Sequence, residues 1–245
     1  MTTAGTVLVM AKAPVAGRVK TRLCPPLRPE QAADLAAAAL LDTLTAAGGH
    51  RTVVALHGPL AAAERGRALG AALRHCTVVR QRGSTFGDRL AAAHLDAAAD
   101  GFGPVLQVGM DTPQLTPLLL RSAFDTLTDP SVDAVLAPAT DGGWWALGLR
   151  SAANARVLRD VPMSRPDTCT RTLAALESLG LRVATLPVLT DVDTAADAER
   201  VSQSAPATGF ARTWRELSVL TGASLRAPVA GQLHLDPLDL QAVSS

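Results

Sequence analysis

The sequence predicts an α/β protein built on a mostly parallel sheet with helices on both faces. Short apolar runs of strand type alternate with longer Ala/Leu runs of helical period, and the connections between them are short. Hydrophobic residues make up 48% of the 245 and charged residues 18%, which excludes a largely disordered chain and is ample for a full core. Aromatic residues are only 3%, with no Tyr, so the core must be built from Ala, Leu and Val. Any Trp cluster stands out against that background.

Element by element, Thr6–Ala11 reads as a strand, and Pro29–Ala47 as a helix opened by Pro29-Glu30 and closed by Gly48-Gly49. A strand at Thr52–Leu56, a helix at Leu60–Leu73 and a strand at Cys76–Arg80 follow. Next come a helix over Gly87–Ala99, a strand over Pro104–Val108, a helix over Pro117–Leu127 and a strand over Asp133–Ala137. After Asp141 the rhythm changes, because Trp144–Leu149 is a strand entered directly from a Gly-Gly turn. Asp167–Leu179 is a helix, Arg182–Leu186 a strand and Thr194–Ser204 a helix. Beyond Ala205 the chain is punctuated by Pro, Gly and Ser, with one short helix at Thr213–Leu220. The reading is one domain over residues 1–212 and a C-terminal extension over 213–245.

The formal charge is +1, with no basic block, so no electrostatic footprint for nucleic acid is present. No apolar run reaches the ~18 residues of a membrane span. The N-terminal apolar run precedes Lys12, Arg18 and Lys20, the reverse of a signal peptide. Cys24, Cys76 and Cys169 lie far apart without disulfide or zinc spacing, which points to a reduced, cytoplasmic setting. The five histidines are not at ligand spacing, and no GxSxG elbow is present.

In an open α/β sheet, ligands bind beyond the carboxyl ends of the strands, so the loops after each strand carry the information. The first contains Ala11, Lys12, Gly17, Arg18, Lys20 and Arg22. Its glycine allows close backbone approach, and its cations can grip phosphate oxygens. The phosphate-loop pattern GxxxxGK[ST] and the dinucleotide pattern GxGxxG are both absent. The competing reading is a solvated cationic loop.

The fourth strand ends in Gly109-Met110-Asp111-Thr112-Pro113, and the last in Asp191-Val192-Asp193-Thr194. Carboxylates at strand ends suit Mg²⁺, which prefers a few carboxylates plus substrate phosphates. The bland alternatives are a cap or Asx-turn at Asp111 and an N-cap at Asp193 or Thr194. Two acidic strand ends beside one cationic loop favour a phosphate–metal site over either piece alone. Asp141-Gly142-Gly143-Trp144-Trp145 offers a carboxylate and an aromatic platform, against the alternative of core packing for the tryptophans. Gly83 and Arg89 lie on a further Gly-rich loop that enters a helix.

Taken in order, Ala11-Lys12-Ala13-Pro14-x-x-Gly17-Arg18-x-Lys20-Thr21-Arg22-Leu23, Gly109-x-Asp111-Thr112-Pro113, Pro138-Ala139-x-Asp141-Gly142-Gly143-Trp144-Trp145 and Asp191-x-Asp193-Thr194-x-x-Asp197 resemble a bacterial family of nucleotide-diphospho-sugar transferases of GT-A fold. The opening is also similar to 2-phospho-lactate guanylyltransferases and, more distantly, to molybdenum-cofactor guanylyltransferases. The resemblance covers about residues 5–212. Thr112 stands where many relatives have Ser.

The resemblance implies a GT-A, Rossmann-like three-layer sandwich that binds a nucleotide over its first strands. It implies Mg²⁺ or Mn²⁺ at Asp111, to which the reading of two acidic strand ends adds Asp193 as partner. The donor, a nucleotide or nucleotide-sugar, falls to Ala11, Lys12, Gly17, Arg18, Lys20, Arg22, Gly83 and Arg89. A small-molecule acceptor falls to Asp141, Gly142, Gly143, Trp144 and Trp145. Arg18, Lys20 and Asp141 are the catalytic candidates. Cations on a leaving pyrophosphate favour nucleotidylyl transfer, whereas the family label favours glycosyl transfer. A noncatalytic nucleotide-binding module is the third hypothesis, and the oligomeric state is left open.

Overall fold

The computed structural model describes residues 5–221. Seven strands form one sheet: β1 (Thr6–Lys12), β2 (Arg51–His57), β3 (Thr77–Arg80), β4 (Val105–Gly109), β5 (Ala134–Pro138), β6 (Trp144–Leu149) and β7 (Val183–Thr185). Their order is β3-β2-β1-β4-β6-β5-β7. All neighbours are parallel except β6, which runs antiparallel between β4 and β5. That reversal puts the start of β6, at Trp144, on the same edge as the carboxyl ends of β1, β4 and β5.

The helices are α1 (Pro29–Ala46), α2 (Gly66–Leu73), α3 (Phe86–Ala97), α4 (Pro117–Thr128), α5 (Thr168–Glu177), α6 (Ala195–Ser204) and α7 (Gly209–Thr221). Val7 and Val9 of β1 point into one core layer with residues of α1 and α4, while Leu8 and Met10 point into the other with α3. Covering both faces explains why β1 is apolar at successive positions instead of alternating. A third cluster packs Leu35 and Ala39 of α1 on Val201 of α6 and on Phe210 and Trp214 of α7. Among the described residues, no helix is long and apolar enough to cross a membrane.

Three local expectations change. The helix expected over Leu60–Leu73 is broken into a 3₁₀ turn at Leu60–Ala62 and α2. Arg65 takes a left-handed conformation, φ 51°, and its guanidinium grips both carboxylate oxygens of Asp34 at 2.6 and 2.7 Å. A tertiary ion pair thus overrides the local helical pattern. An eight-residue 3₁₀ helix, Ala152–Arg159, occupies a stretch expected as loop. It packs on α3 where Gly87 leaves no room for a side chain. Finally, the helix expected at Thr213–Leu220 starts earlier, because the Asp42 carboxylate of α1 accepts from the backbone amides of Gly209 and Phe210 at 2.9 and 2.7 Å. The boundary placed after residue 212 therefore falls inside α7, and the rest of the proposed extension, 222–245, lies outside the described residues.

Candidate active site

The cationic loop after β1 is folded on itself. Lys12 Nζ donates to the carbonyl of Arg18 at 2.6 Å, and Gly17 sits at φ +71° in the turn between them. Lys20 adopts the left-handed region, φ 48°, just before the 3₁₀ turn Thr21–Leu23, whose Leu23 is anchored in the α1–α6–α7 core. This backbone sends the Lys20 side chain inward, where it is only 9% exposed. Its ammonium lies 2.9 Å from Oδ1 of Asp111 and 3.1 Å from Oδ1 of Asp193. Arg22 approaches the other oxygen of Asp193 at 3.6 Å. Burial pulls the Lys20 pKa down, but the two carboxylates outweigh it and hold the group above its ordinary value.

Asp111 and Asp193 meet because the loops that carry them are tied together. The amide of Val192 donates to the carbonyl of Asp111 at 3.0 Å, and Gln114 Nε2 donates to the carbonyl of Thr190 at 2.8 Å. The Thr112 hydroxyl donates to Asp191 at 2.8 Å. Burial raises the Asp191 carboxyl to about 7, against the Thr112 hydrogen bond, with Asp111 and Asp141 adding to the rise. Of the bland alternatives, the cap at Thr194 is present, which leaves Asp111 and Asp193 free of a capping role. Thr116 caps α4, and Thr194 forms a reciprocal capping box with Asp197 on α6.

Two cavities, each of about 280 Å³, meet at Met110, Asp111 and Asp193. The first-strand cavity is lined by Lys12, Arg18, Lys20 and Arg22. The other lies towards β6 and is walled by Met10, Phe86, Trp144 and Met163, with Asp141, Asp191 and Arg165 also on its lining. Asp141 is exposed, and its Oδ1 accepts from the amide of Gly143 at 2.8 Å. Gly142, at φ +86°, packs so closely on Pro166 that any side chain would collide with that backbone.

The expected site residues divide accordingly. Lys12, Arg18, Lys20, Arg22, Asp111 and Asp193 are brought together, and Asp141, Gly143 and Trp144 face the adjoining cavity. The two tryptophans part company because successive strand residues face opposite ways. Trp144 is half-buried with its indole N–H on Thr172 at 3.1 Å. Trp145 is 2% exposed, packs in the core on the other face, and donates to the Pro187 carbonyl at 2.9 Å. Trp145 still contributes to the lining of the second cavity, but at 2% exposure it is chiefly a core element. Ala11 is buried, its carbonyl accepting from Gln81 at 3.0 Å. Gly83 and Arg89 line neither cavity; Arg89 stacks 5.6 Å over the Phe86 ring. Sequence reasoning missed Phe86, Arg165 and Gln107 on the second cavity. Only Gln107 left a signal, as the lone polar side chain inside the apolar strand Val105–Gly109.

Fold and cleft together define a nucleotide-utilising transferase of the GT-A, Rossmann-like class. The chain belongs to the family described as "Uncharacterized protein conserved in bacteria" (DUF2064), whose model matches residues 40–165. A crystal structure from Desulfovibrio desulfuricans, provisionally assigned as a nucleotide-diphospho-sugar transferase, is 25% identical with a TM-score of 0.79, covering 91% of this chain and 98% of that one. A cytidylyltransferase from Leptospira borgpetersenii is 13% identical with a TM-score of 0.52, over 90% and 94% of the two chains. CMP:2-keto-3-deoxy-manno-octonic acid synthetase in complex with CTP is 15% identical with a TM-score of 0.51, over 87% and 100%. The last two are likenesses of fold. A comparison with curated proteins finds no match.

Proposed function

We propose that the chain transfers a nucleotidylyl group from a nucleoside triphosphate to a small phosphorylated or otherwise anionic acceptor, releasing pyrophosphate. The observation that carries this reading is the junction of the two cavities. A pocket lined by Lys12, Arg18, Lys20 and Arg22 opens, across Asp111 and Asp193, onto a second pocket of similar size. In the reaction, an acceptor phosphate oxygen bonds to the α-phosphorus, and the α–β bridging bond breaks with its electron pair leaving on pyrophosphate. Charge builds on the leaving group, where Arg18, Lys20 and Arg22 stabilise it.

Mg²⁺ or Mn²⁺ fits the donor set, since two hard carboxylates already converge on one cation, the Lys20 ammonium. Asp111 and Asp193 would hold the ion, which when bound neutralises the phosphate oxygens. Asp141, exposed at the mouth of the second cavity, orients the acceptor there. Trp144 and Phe86 exclude water from that side.

Glycosyl transfer from a nucleotide-sugar is the second reading, favoured by the assignment of the Desulfovibrio structure. In that case Asp141 would deprotonate the acceptor hydroxyl. A thermal-shift panel of the four nucleoside triphosphates and common nucleotide-sugars, with and without Mg²⁺, separates the two. A ligand at 100 times its Kd stabilises by about 2.7 kcal/mol. Shifts with triphosphates alone support nucleotidylyl transfer, and shifts with nucleotide-sugars alone overturn it.

A further inference from the structure

The inner wall of the second cavity holds a polar group that the chemistry above does not use. Gln107 lies in the middle of β4, opposite Leu8 of β1 and Leu147 of β6, and is 3% exposed. It lines the cavity, and on its face of the sheet Leu8, Met10, Leu136 and Leu147 are all apolar. Its Oε1 is buried and lacks a hydrogen-bond partner of proper geometry. Behind it, in α3, His94 is fully buried, and neither of its ring nitrogens is partnered either. The Gln107 amide nevertheless acts on the His94 ring, so the two side chains face each other. Burying an amide on an otherwise apolar wall is costly, and a Leu or Met here would avoid it. With its oxygen buried towards the His94 ring, the amide N–H₂ is the end of this side chain left for a ligand in the cavity.

We propose that Gln107 is a specificity-determining residue for the acceptor, its carboxamide positioned by His94 to hydrogen-bond a hydroxyl group of a small phosphorylated polyol or sugar. The inference rests on the reading that this cavity takes the acceptor. A hydroxyl both donates and accepts, so it complements the amide in either orientation. Trp144 and Phe86 suit the C–H faces of such a molecule. Among the described residues Arg165 is the one Lys or Arg on the lining; its Nε is paired with Asp167 at 3.1 Å, and a phosphate there would share or replace that partner.

Matched probes test this by calorimetry on the full chain: glycerol 3-phosphate against propyl phosphate, and glucose 1-phosphate against cyclohexyl phosphate. Wild type should bind the hydroxylated member of at least one pair roughly tenfold or more tightly. Gln107→Met and Gln107→Leu should lose that preference and keep the affinity for the alkyl phosphate, which also reports that the cavity is intact. Equal affinities in wild type, no binding of any probe, or a preference retained in either variant overturns the assignment of Gln107. Pyrophosphate release from each triphosphate with the same phosphates is read separately. Its absence would overturn nucleotidylyl transfer while a Gln107-dependent preference in binding still stood.

Discussion

Lys20 holds its ammonium 2.9 Å from Asp111 Oδ1, so one flexible cation sits where a strand-end carboxylate would present itself to a metal. Asp193 shares the same ammonium at 3.1 Å. The arrangement neutralises two nearby like charges in the free protein, and bound phosphates offer Lys20 a competing partner. Lys20→Met should therefore have two opposite effects. Nucleotide affinity should fall, because a charge-assisted phosphate contact worth about 1.5–3 kcal/mol is lost. Affinity for Mg²⁺ in the absence of nucleotide should rise, because the competing cation is gone. Calorimetric titration with Mg²⁺ alone checks the second effect. An unchanged Mg²⁺ affinity would show that Lys20 does not occupy the cation position.

Asp111→Asn keeps a carbonyl oxygen for Lys20 but removes the charge. Turnover should drop by on the order of a hundredfold or more, the scale seen when one group is removed from a charge-stabilising site. The melting temperature should stay within a few degrees of wild type, because Asp193 at 3.1 Å still neutralises the buried Lys20 ammonium once the Asp111 charge is gone. Parallel measurement of kcat and Tm decides it, and a fully active variant would remove Asp111 from the site.

Much of this site was readable as chain pattern. The cationic loop and the acidic end of β4 stand out as charge beside apolar strands, and β6 has the bounds its sequence suggests, Trp144–Leu149. Asp191 and Asp193 lie not at the end of the last strand, as expected, but in the loop six and eight residues beyond it. What could not be read depends on distant partners. The Lys20–Asp193 contact joins residues 173 apart in the chain. The break at Arg65 is set by Asp34, a residue of another helix. The different fates of Trp144 and Trp145 follow from strand alternation, but which face is core and which is cleft depends on what packs there. Gln107 gave a one-residue signal that reads as a weak strand position until its burial and missing partners are seen.

His94 makes the stability of the fold sensitive to acid. Burial lowers its pKa to about 4 from 6.5, with the Gln107 amide opposing the shift. The unfolded chain therefore takes up this proton first as the pH falls. The stabilising contribution is complete above about 6.5, declines between about 6.5 and about 4, and amounts to about 3 kcal/mol in all. Denaturant melts across that window should show a smaller pH dependence for His94→Leu than for wild type. Identical slopes would mean that other groups account for the acid sensitivity.

Asp141 separates the two halves of the cleft. Its carboxylate lies at the end of β5, in a turn fixed by the Gly143 amide at 2.8 Å and by the close packing of Gly142 on Pro166. It lines the cavity of Phe86 and Trp144, and it is absent from the lining of the cationic one. Asp141→Asn preserves an oxygen for the Gly143 amide, so the turn should survive. Nucleotide binding measured by calorimetry should stay within about twofold of wild type, an effect below 0.5 kcal/mol. Turnover should fall, and the size of the fall reports the chemistry. A phosphate acceptor is already anionic near neutral pH and needs only orientation, so a loss of about tenfold is expected for nucleotidylyl transfer. A sugar hydroxyl needs a base, and removing one should lower kcat by a further factor of about 10² or more. If nucleotide affinity instead collapses while kcat is spared, the nucleotide occupies the Trp144 side and the two halves of the cleft must be exchanged.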